Sequence, residues 1–234
     1  VLLIESFASI KTSLFQNKKC GLHLGIYGQM QPPWRVTMQY ISHYASPVGN
    51  ILLAADNTGL TGLWFEGQKY FALSLDKEHE EKEIPLFEEV KQWLDIYFSG
   101  KEPDFTVPLH FTGTAFQNEV WEILCTIPYG QTMTYGEIAK QIAVRKGLLH
   151  MSAQAVGGAV GHNEISIIVP CHRVVGADGS LTGYAGGIDK KIKLLQLEKA
   201  DMKSFFIPQE LSRLILEGFS RSGKTLTTLF MKAL

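Results

Sequence analysis

The segment 168–173, IVPCHR, places a thiol next to an imidazole in the chain. The thiolate is the nucleophilic form of cysteine, and a neighbouring histidine or cation is a common way to lower the pKa of a thiol. Glu198, a carboxylate that could orient the imidazole of His172, follows further along the chain. This combination favours Cys171 as a nucleophile, with a buried structural cysteine as the alternative interpretation.

Four other features of the sequence bear on the role of Cys171. The apolar residues 165–169 indicate a strand that leads into it, and a glycine-rich loop, LTGYAGG, follows at residues 181–187. The apolar pattern that ends in LLQLE at residues 194–198 predicts a helix. Cys125 falls on the face of another predicted helix, where a core cysteine is expected.

Several ordered motifs carry a resemblance to a known family. They are IVPCHRVVG at 168–176, GSLTGYAGG at 179–187 and KxxLLxLE at 191–198, preceded by FQNEVW at 116–121, IPYGQT at 127–132, TYGEIA at 134–139, AVGGA at 155–159 and GHN at 161–163. Together they resemble the O6-alkylguanine-DNA alkyltransferases, the methylated-DNA–protein-cysteine methyltransferases. The resemblance runs from about residue 116 to residue 198 and continues more weakly back to residue 38.

The resemblance implies a role for each of five catalytic residues. Cys171 accepts the alkyl group in a single-turnover suicide reaction, and the resulting thioether is irreversible. His172 deprotonates Cys171 through a water molecule while Glu198 holds the imidazole. Asn163 ties the backbone of the turn beside the active site, although a plain helix C-cap is its structural alternative. Tyr135 faces DNA and donates a proton toward the departing guanine.

The resemblance also implies the partner, double-stranded DNA containing O6-alkylguanine, bound in the minor groove with the damaged base rotated out of the stack. Whether O4-alkylthymine is a second substrate is left open. The expected DNA-binding residues are Tyr135, Gly136, Gln154, Ala155 and Arg173. The expected pocket for the extruded base is formed by Val160, Val174, Tyr184, Ala185 and Gly186. No cofactor, metal or membrane contact is expected, and the protein is expected to be a monomer.

This chain departs from the family pattern at three places. Gln154 stands where most relatives have an arginine that fills the gap left by the flipped nucleotide, so the cationic contribution is lost. Glu164 stands where the family usually has proline. The segment 145–150, RKGLLH, lengthens the turn before Gln154, and Arg145 and Lys146 could offset part of the loss through phosphate contacts.

Composition agrees with a globular protein of one large or two small domains. The 234 residues carry a formal net charge of −1, contain three cysteines and include no apolar run of membrane-spanning length. Widely spaced cysteines in an odd number favour reduced thiols and a cytoplasmic location. Residues 38–108 carry twelve acidic and five basic side chains, whereas residues 109–199 are nearly balanced. Any DNA-binding surface is therefore expected on the second half.

The hydrophobic patterns predict an α/β (α+β) fold in two domains. Alternation over 40–65 around short turns predicts antiparallel strands, and apolar spacing over 85–99 predicts a helix; they form a small α/β domain at 38–108. Capped helices beginning after Thr114, Thr134 and Ser152 predict a mainly helical domain at 109–199. Two short helices joined by a turn match a helix-turn-helix, and a purely structural helical bundle is the alternative interpretation of the same spacing. Residues 1–37 form an irregular leader, and residues 200–234 a tail unlike the family.

Two other functions compete with this interpretation. Alkyltransferase-like proteins bind the same lesions without repairing them, but they lack the cysteine. A Cys-His hydrolase would need an oxyanion hole and catalytic turnover.

Residues 218–225, GFSRSGKT, fit a phosphate-binding P-loop pattern but follow a helix-like segment rather than a strand. Cys20 and His23 form a CxxH pair, which is weak evidence for zinc.

Overall fold

The computed structural model describes residues 38–208. Its first half is a four-stranded sheet of β1 (Gln39–Ser46), β2 (Gly49–Ala55), β3 (Leu60–Phe65) and β4 (His79–Glu81), in the order β3-β2-β1-β4. The first three strands are antiparallel, as predicted, because short turns join them. The short strand β4 pairs parallel to β1 and has no signal in the sequence, since it is three exposed polar residues long.

Helix α1 (Pro85–Phe98) begins with proline in its first turn, where the absent N–H costs no helical hydrogen bond. Its apolar face is buried against one side of the sheet and forms part of a core that continues into the second half of the chain. The opposite side of the sheet buries a smaller cluster around Trp64, onto which the β3–β4 loop (residues 66–78) packs Ala72 and Leu75.

The second half contains α2 (Ala115–Leu124), β5 (Met133–Thr134), α3 (Tyr135–Lys146), α4 (Ala153–Gly161), β6 (Val174–Val175) and α5 (Ile188–Leu197). Capping boxes at Thr114 and Thr134 fix the starts of α2 and α3, and the Ser152 side chain caps α4. Gly147 ends α3 in the left-handed conformation. Helices α3 and α4 form the predicted helix-turn-helix, and the α/β fold class is confirmed.

The two halves are joined through β3, whose edge contacts the second half at two points. Leu60 bridges to Leu109, and Leu63 bridges to Ile165. The start of the predicted tail also packs on the fold, because Leu181 N–H donates to the carbonyl of Phe206. The domain boundaries at 38–108, 109–199 and 200–234 stay predictions, and the leader 1–37 lies outside the described residues.

Candidate active site

Cys171 is buried at the start of a short 3-10 helix, Cys171–Arg173, and its thiol is unpaired. The prediction of a strand at 165–169 is wrong: only Ile165 bridges to β3, and the following backbone turns back on itself. Ile167 adopts φ +69°, which a continuing strand does not allow. The tight turn brings the thiol to the end of a loop that begins at Asn163.

The side chain of Asn163 organises this loop. Its Oδ1 accepts from the N–H of Ile165 at 3.1 Å. Its Nδ2 lies 2.8 Å from the carbonyl oxygen of Val169, 3.3 Å from that of Ile165 and 2.9 Å from Sγ of Cys171. The same amide therefore ties both ends of the loop together, as the sequence predicts, and it also presents an N–H donor to the sulfur, which the sequence did not indicate.

His172 and Glu198 are fully buried together, with Nε2 2.6 Å from Oε1. Burial alone would raise the pKa of Glu198, but the hydrogen bonds and charges of His172 and Arg173 outweigh it and hold this pKa far below its ordinary value. The carboxylate is therefore ionised, and Nε2 of His172 carries the proton that it accepts. Nδ1 is then the basic nitrogen, and it has no hydrogen-bond partner among the described residues.

Glu198 receives more donors than the sequence indicates. Tyr97 on α1 donates its hydroxyl to Oε1 at 2.7 Å and lies 3.4 Å from Nε2 of His172. Arg173 donates to both carboxylate oxygens, at 2.8 and 3.0 Å, and the N–H of Gly130 donates to Oε2 at 3.1 Å. These contacts fix both the orientation and the charge of Glu198.

The predicted role of Arg173 in DNA binding does not agree with its position in the structure. Its side chain is buried, with a guanidinium that also donates to the carbonyl of Ile127 at 2.6 Å. Three of its five N–H groups donate to Glu198 and Ile127, and the side chain is only 10% exposed, so it does not present a cation to a phosphate on the surface. Arg173 belongs to the framework that holds Glu198.

Burial sets the electrostatics of the thiol. It raises the pKa of Cys171 to about 11, and the Asn163 hydrogen bond and the charge of Lys191 act in the opposite direction. Lys191, which the sequence analysis did not single out, is fully buried, and its Nζ donates to the carbonyls of Val174 at 2.5 Å and Thr182 at 2.8 Å. Burial lowers the pKa of Lys191 to about 8. The resting site therefore favours the neutral thiol.

Two tyrosines are electrostatically coupled to the thiol, because the charge of Cys171 contributes to the raised pKa of each. Tyr135 donates its hydroxyl to the carbonyl of Thr182 at 3.3 Å, and burial followed by the charge of Cys171 raises its pKa to about 12. Tyr184 is buried, and burial also raises its pKa. Gly183, at φ +65°, passes close to Tyr135, where an added Cβ would lie 3.1 Å from the hydroxyl. The glycine is required for this approach.

Two family models match the chain. The DNA-binding domain of 6-O-methylguanine DNA methyltransferase matches residues 115–200, and the ribonuclease-like domain of that methyltransferase matches residues 39–111. A methylated-DNA–protein-cysteine methyltransferase of Haemophilus influenzae is 44% identical over 165 residues, or 70% of this chain and 88% of that protein. The chain belongs to the 6-O-methylguanine DNA methyltransferase family.

Other relatives of this methyltransferase family support the same assignment. A methylated-DNA–protein-cysteine methyltransferase of Methanosarcina mazei is 49% identical over 158 residues, which cover 68% of this chain and 96% of that protein. The crystal structure of Mycobacterium tuberculosis OGT in complex with DNA superposes with a TM-score of 0.61 at 46% identity, covering 68% of this chain and 93% of that one.

The residues that the family resemblance assigns to DNA lie on one surface, apart from Arg173. Gly136 is exposed at the start of α3, and Gln154 and Ala155 are exposed in the first turn of α4. Gly157 on α4 lies against the ring of Tyr135, where an added Cβ would be 3.8 Å from it, so the two helix starts are adjacent. The resulting surface, formed by the first turns of α3 and α4, is called the α3–α4 face below.

The basic residues before α4 are not directed to this face. Arg145 forms an ion pair with Glu122 at 3.7 Å, and Lys146 forms one with Glu119 at 3.0 Å. Both therefore turn toward the carboxylates of α2. The expectation that they offset part of the loss at Gln154 through phosphate contacts is not supported by these positions.

The pocket residues of the family pattern are buried or partly buried. Val160 and Val174 are buried, Ala185 is partly buried, and an added Cβ at Gly186 would meet the ring of Tyr184 at 2.7 Å. Of the expected pocket residues, Tyr184 and Ala185 line a cavity of about 230 Å³, which is also bounded by α4, by Gly183 and by Lys69 and Tyr70 of the β3–β4 loop. The loop contribution is not visible in the sequence motifs.

Two motifs of the sequence fall outside the part of the chain that the structure describes. The P-loop pattern at 218–225 and the CxxH pair, Cys20 and His23, lie outside residues 38–208. Within that range no group of three or more metal-ligating side chains is assembled. None of the helices in the described part of the chain has the length and apolar character needed to cross a membrane.

Proposed function

We propose that this protein repairs O6-alkylguanine in DNA by transferring the alkyl group to Sγ of its own Cys171, once per molecule. One observation carries the proposal: a buried unpaired thiol receives an amide donor from Asn163 and lies next in the chain to a buried His172–Glu198 pair. A structural cysteine would need neither an N–H aimed at its sulfur nor an adjacent histidine with an unpartnered Nδ1.

The thiol must lose its proton before it attacks. Nδ1 of His172 is the available base, and no hydrogen bond joins it to the sulfur, so we infer that a water molecule carries the proton between them. The resulting imidazolium is stabilised by the ionised Glu198 through Nε2. His172 is a weak base at rest because burial lowers its pKa, so the proton transfer belongs to the reacting complex and not to the resting state.

The transfer itself exchanges one bond for another. The thiolate attacks the alkyl carbon, so that the carbon–sulfur bond forms as the carbon–O6 bond breaks. The electron pair of the broken bond stays with the guanine, which is released as an anion unless it receives a proton. The hydroxyl of Tyr135, next to the thiol, is the donor that we assign to this step. The product thioether holds the alkyl group permanently, and no group nearby can remove it.

The electrostatic environment of Cys171 suits a reaction in which negative charge moves away from the sulfur. Burial disfavours the thiolate, while Asn163 and Lys191 offset part of that cost. A poorly solvated thiolate is a strong nucleophile, and its charge passes to the guanine as the bond forms. The site therefore stabilises the transition state without holding a permanently exposed, oxidisable thiolate.

We propose that the partner is duplex DNA, contacted from the minor groove by the α3–α4 face through Tyr135, Gly136, Gln154 and Ala155. A base inside the stack cannot reach a thiol that is 4% exposed, so the guanine must be rotated out of the helix. Val160, Val174, Tyr184, Ala185 and Gly186 then form its pocket. A monomer suffices, because one chain supplies every group that the reaction needs.

The chemistry requires a reduced thiol, which is consistent with a cytoplasmic protein. Two alternatives remain to be separated from alkyl transfer: a module that only binds the lesion, and a hydrolase that turns over. Incubating the protein with an excess of O6-methylguanine oligonucleotide and counting the lesions lost separates them. We expect one lesion lost per molecule; no loss would favour the binder, and many losses would favour the hydrolase.

A further inference from the structure

Glu164, directly after Asn163, joins three segments of the fold through one carboxylate oxygen. Its Oε2 accepts from Nε1 of Trp64 at 3.1 Å and from the hydroxyl of Ser74 at 2.6 Å. Trp64 belongs to β3, and Ser74 belongs to the β3–β4 loop. The carboxylate thus fastens the loop that carries Asn163 to two neighbouring parts of the first half.

The backbone around Glu164 is fastened to the same strand. The N–H of Leu63 donates to the carbonyl of Glu164 at 2.8 Å, and the N–H of Ser166 donates to the carbonyl of Leu63 at 2.9 Å. These bonds fix the path of the backbone but do not fix the orientation of the side chains. The carboxylate of Glu164 adds two further anchors, to Trp64 and Ser74.

The position of Asn163 decides how well its amide reaches the sulfur. The amide N–H groups share three acceptors, the carbonyl oxygens of Ile165 and Val169 and, at 2.9 Å, the sulfur of Cys171. A small rotation of the turn would keep the carbonyl contacts and lengthen the contact to Cys171. Hydrogen bonds weaken steeply as distance and angle depart from the ideal.

We propose that Glu164 is a positioning residue, which fixes the Asn163 turn so that the amide stabilises the Cys171 thiolate during transfer. The inference rests on the proposed function and adds to it a residue that never touches the reacting atoms. A proline at this position, which the family resemblance led us to expect, would restrict the backbone through its rigid ring. In this chain the contacts of Glu164 to Trp64 and Ser74 hold the turn instead.

The charged and titratable groups near the thiol must be considered together, since several elements contribute them. Lys191 from α5, Tyr135 from α3 and Tyr184 from the glycine-rich loop are coupled to Cys171 itself. His172 follows Cys171 in the chain and is coupled in turn to Arg173, to Glu198 after α5 and to Tyr97 from α1. Glu164 is not among the groups that shift the pKa of Cys171, and its own charged neighbour is His162.

Two mechanisms for Glu164 predict opposite signs. If it acts by position, Glu164→Ala loosens Asn163 and raises the pH at which the transfer rate reaches half its maximum. If its negative charge acts on the thiol through space, the same substitution favours the thiolate and lowers that pH. Glu164→Gln separates them further, because its amide oxygen accepts from both partners but carries no charge.

The experiment is the pH dependence of alkyl transfer from free O6-benzylguanine, a substrate that needs no DNA binding. Wild type, Glu164→Ala, Glu164→Gln and Ser74→Ala are compared, with Glu66→Ala as the matched control. Glu66 is an exposed carboxylate at the end of β3 that accepts from Asn50 at 3.0 Å and does not contact the Asn163 turn. Thermal unfolding of each variant is measured in parallel.

We expect Glu164→Ala to raise the midpoint by up to about one pH unit, the scale of one hydrogen bond to an ionised group. Glu164→Gln and Glu66→Ala should match wild type. An unchanged or lowered midpoint in Glu164→Ala overturns the inference, even if its rate falls at every pH. If Glu164→Ala does not fold, Ser74→Ala decides. A rise in its pH midpoint that is smaller than about one pH unit supports the role, and an unchanged midpoint refutes it. Absence of transfer in wild type would instead refute the proposed function.

Discussion

Replacing Glu198 by glutamine tests whether the buried charge network is required by the fold as well as by the chemistry. The substitution keeps the shape of the side chain, removes its charge and turns one acceptor into an NH₂ donor. Five hydrogen bonds end on this carboxylate, from His172, Tyr97, Gly130 and twice from Arg173. The most costly consequence is a buried guanidinium without its counter-charge.

The size of the effect follows from this burial. The Glu198 side chain is 0% exposed and that of Arg173 10% exposed, so water screens neither charge well. Removing one partner of a buried ion pair destabilises a protein by roughly 3–5 kcal/mol. Arg173 keeps its bond to the Ile127 carbonyl, so we expect a loss in the free energy of unfolding near the lower end, about 3 kcal/mol.

The pH dependence has a defined sign. The folded-state pKa of Glu198 is lowered, so its stabilisation is fully present above the unfolded value of about 4.3 and is lost as the pH falls through the folded value. The difference between wild type and Glu198→Gln should therefore be nearly constant from about pH 6 to pH 8 and shrink in acid.

Urea unfolding followed by tryptophan fluorescence at several pH values measures this difference. Glu83→Gln is the control, because Glu83 also accepts from a cation, Lys91, and a hydroxyl, Ser42, but lies on the surface. Exposed pairs contribute at most about 1 kcal/mol. If Glu198→Gln costs no more than Glu83→Gln, the network is not structurally required and the reasoning is refuted.

Further predictions concern the thiol, the DNA face and a remote ion pair. Cys171→Ala should abolish transfer but retain affinity for O6-methylguanine DNA in a gel-shift assay; equal loss of both would show that the thiol also forms the binding site. Gln154→Arg should increase the repair rate on duplex DNA, with a gain that shrinks as salt rises, and leave the rate with free O6-benzylguanine nearly unchanged; equal gains would mean that residue 154 shapes the pocket. The hydrogen bond from His110 to Asp56 raises the pKa of His110 against the effect of burial. His110 should therefore stabilise the fold below about pH 6.5. This contribution, about 1 kcal/mol or less, should be lost as the pH rises through the folded pKa of His110. Asp56→Asn should remove this pH dependence in thermal unfolding, and its persistence would contradict the assignment.

Local signals in the sequence predict the helices of the second half well. Thr114 and Thr134 precede Gln117 and Glu137 at capping-box spacing, and the structure forms both boxes. Such signals act within four residues, so they need no knowledge of the rest of the fold. The residues of the reactive turn came from the family motifs instead, because spacing alone does not distinguish a nucleophile from a core cysteine.

Contacts between distant parts of the chain were not predictable in this way. In the sequence pattern Tyr97 is one more apolar position on α1, yet its hydroxyl donates a hydrogen bond to Glu198, which lies far along the sequence. The strand prediction at 165–169 failed because Asn163 replaces ladder bonds with side-chain bonds, which an apolar run does not reveal. Lys191 could have been found, since it falls between Ile188 and Leu194 on the buried face of α5.

The central claim, that Cys171 receives the alkyl group, is tested most directly by intact-mass spectrometry after incubation with O6-methylguanine DNA. The account predicts that each molecule gains the mass of one methyl group, that peptide mapping places it on Cys171, and that further DNA adds no more. No gain in mass, or a methyl group found on a residue other than Cys171, would contradict it.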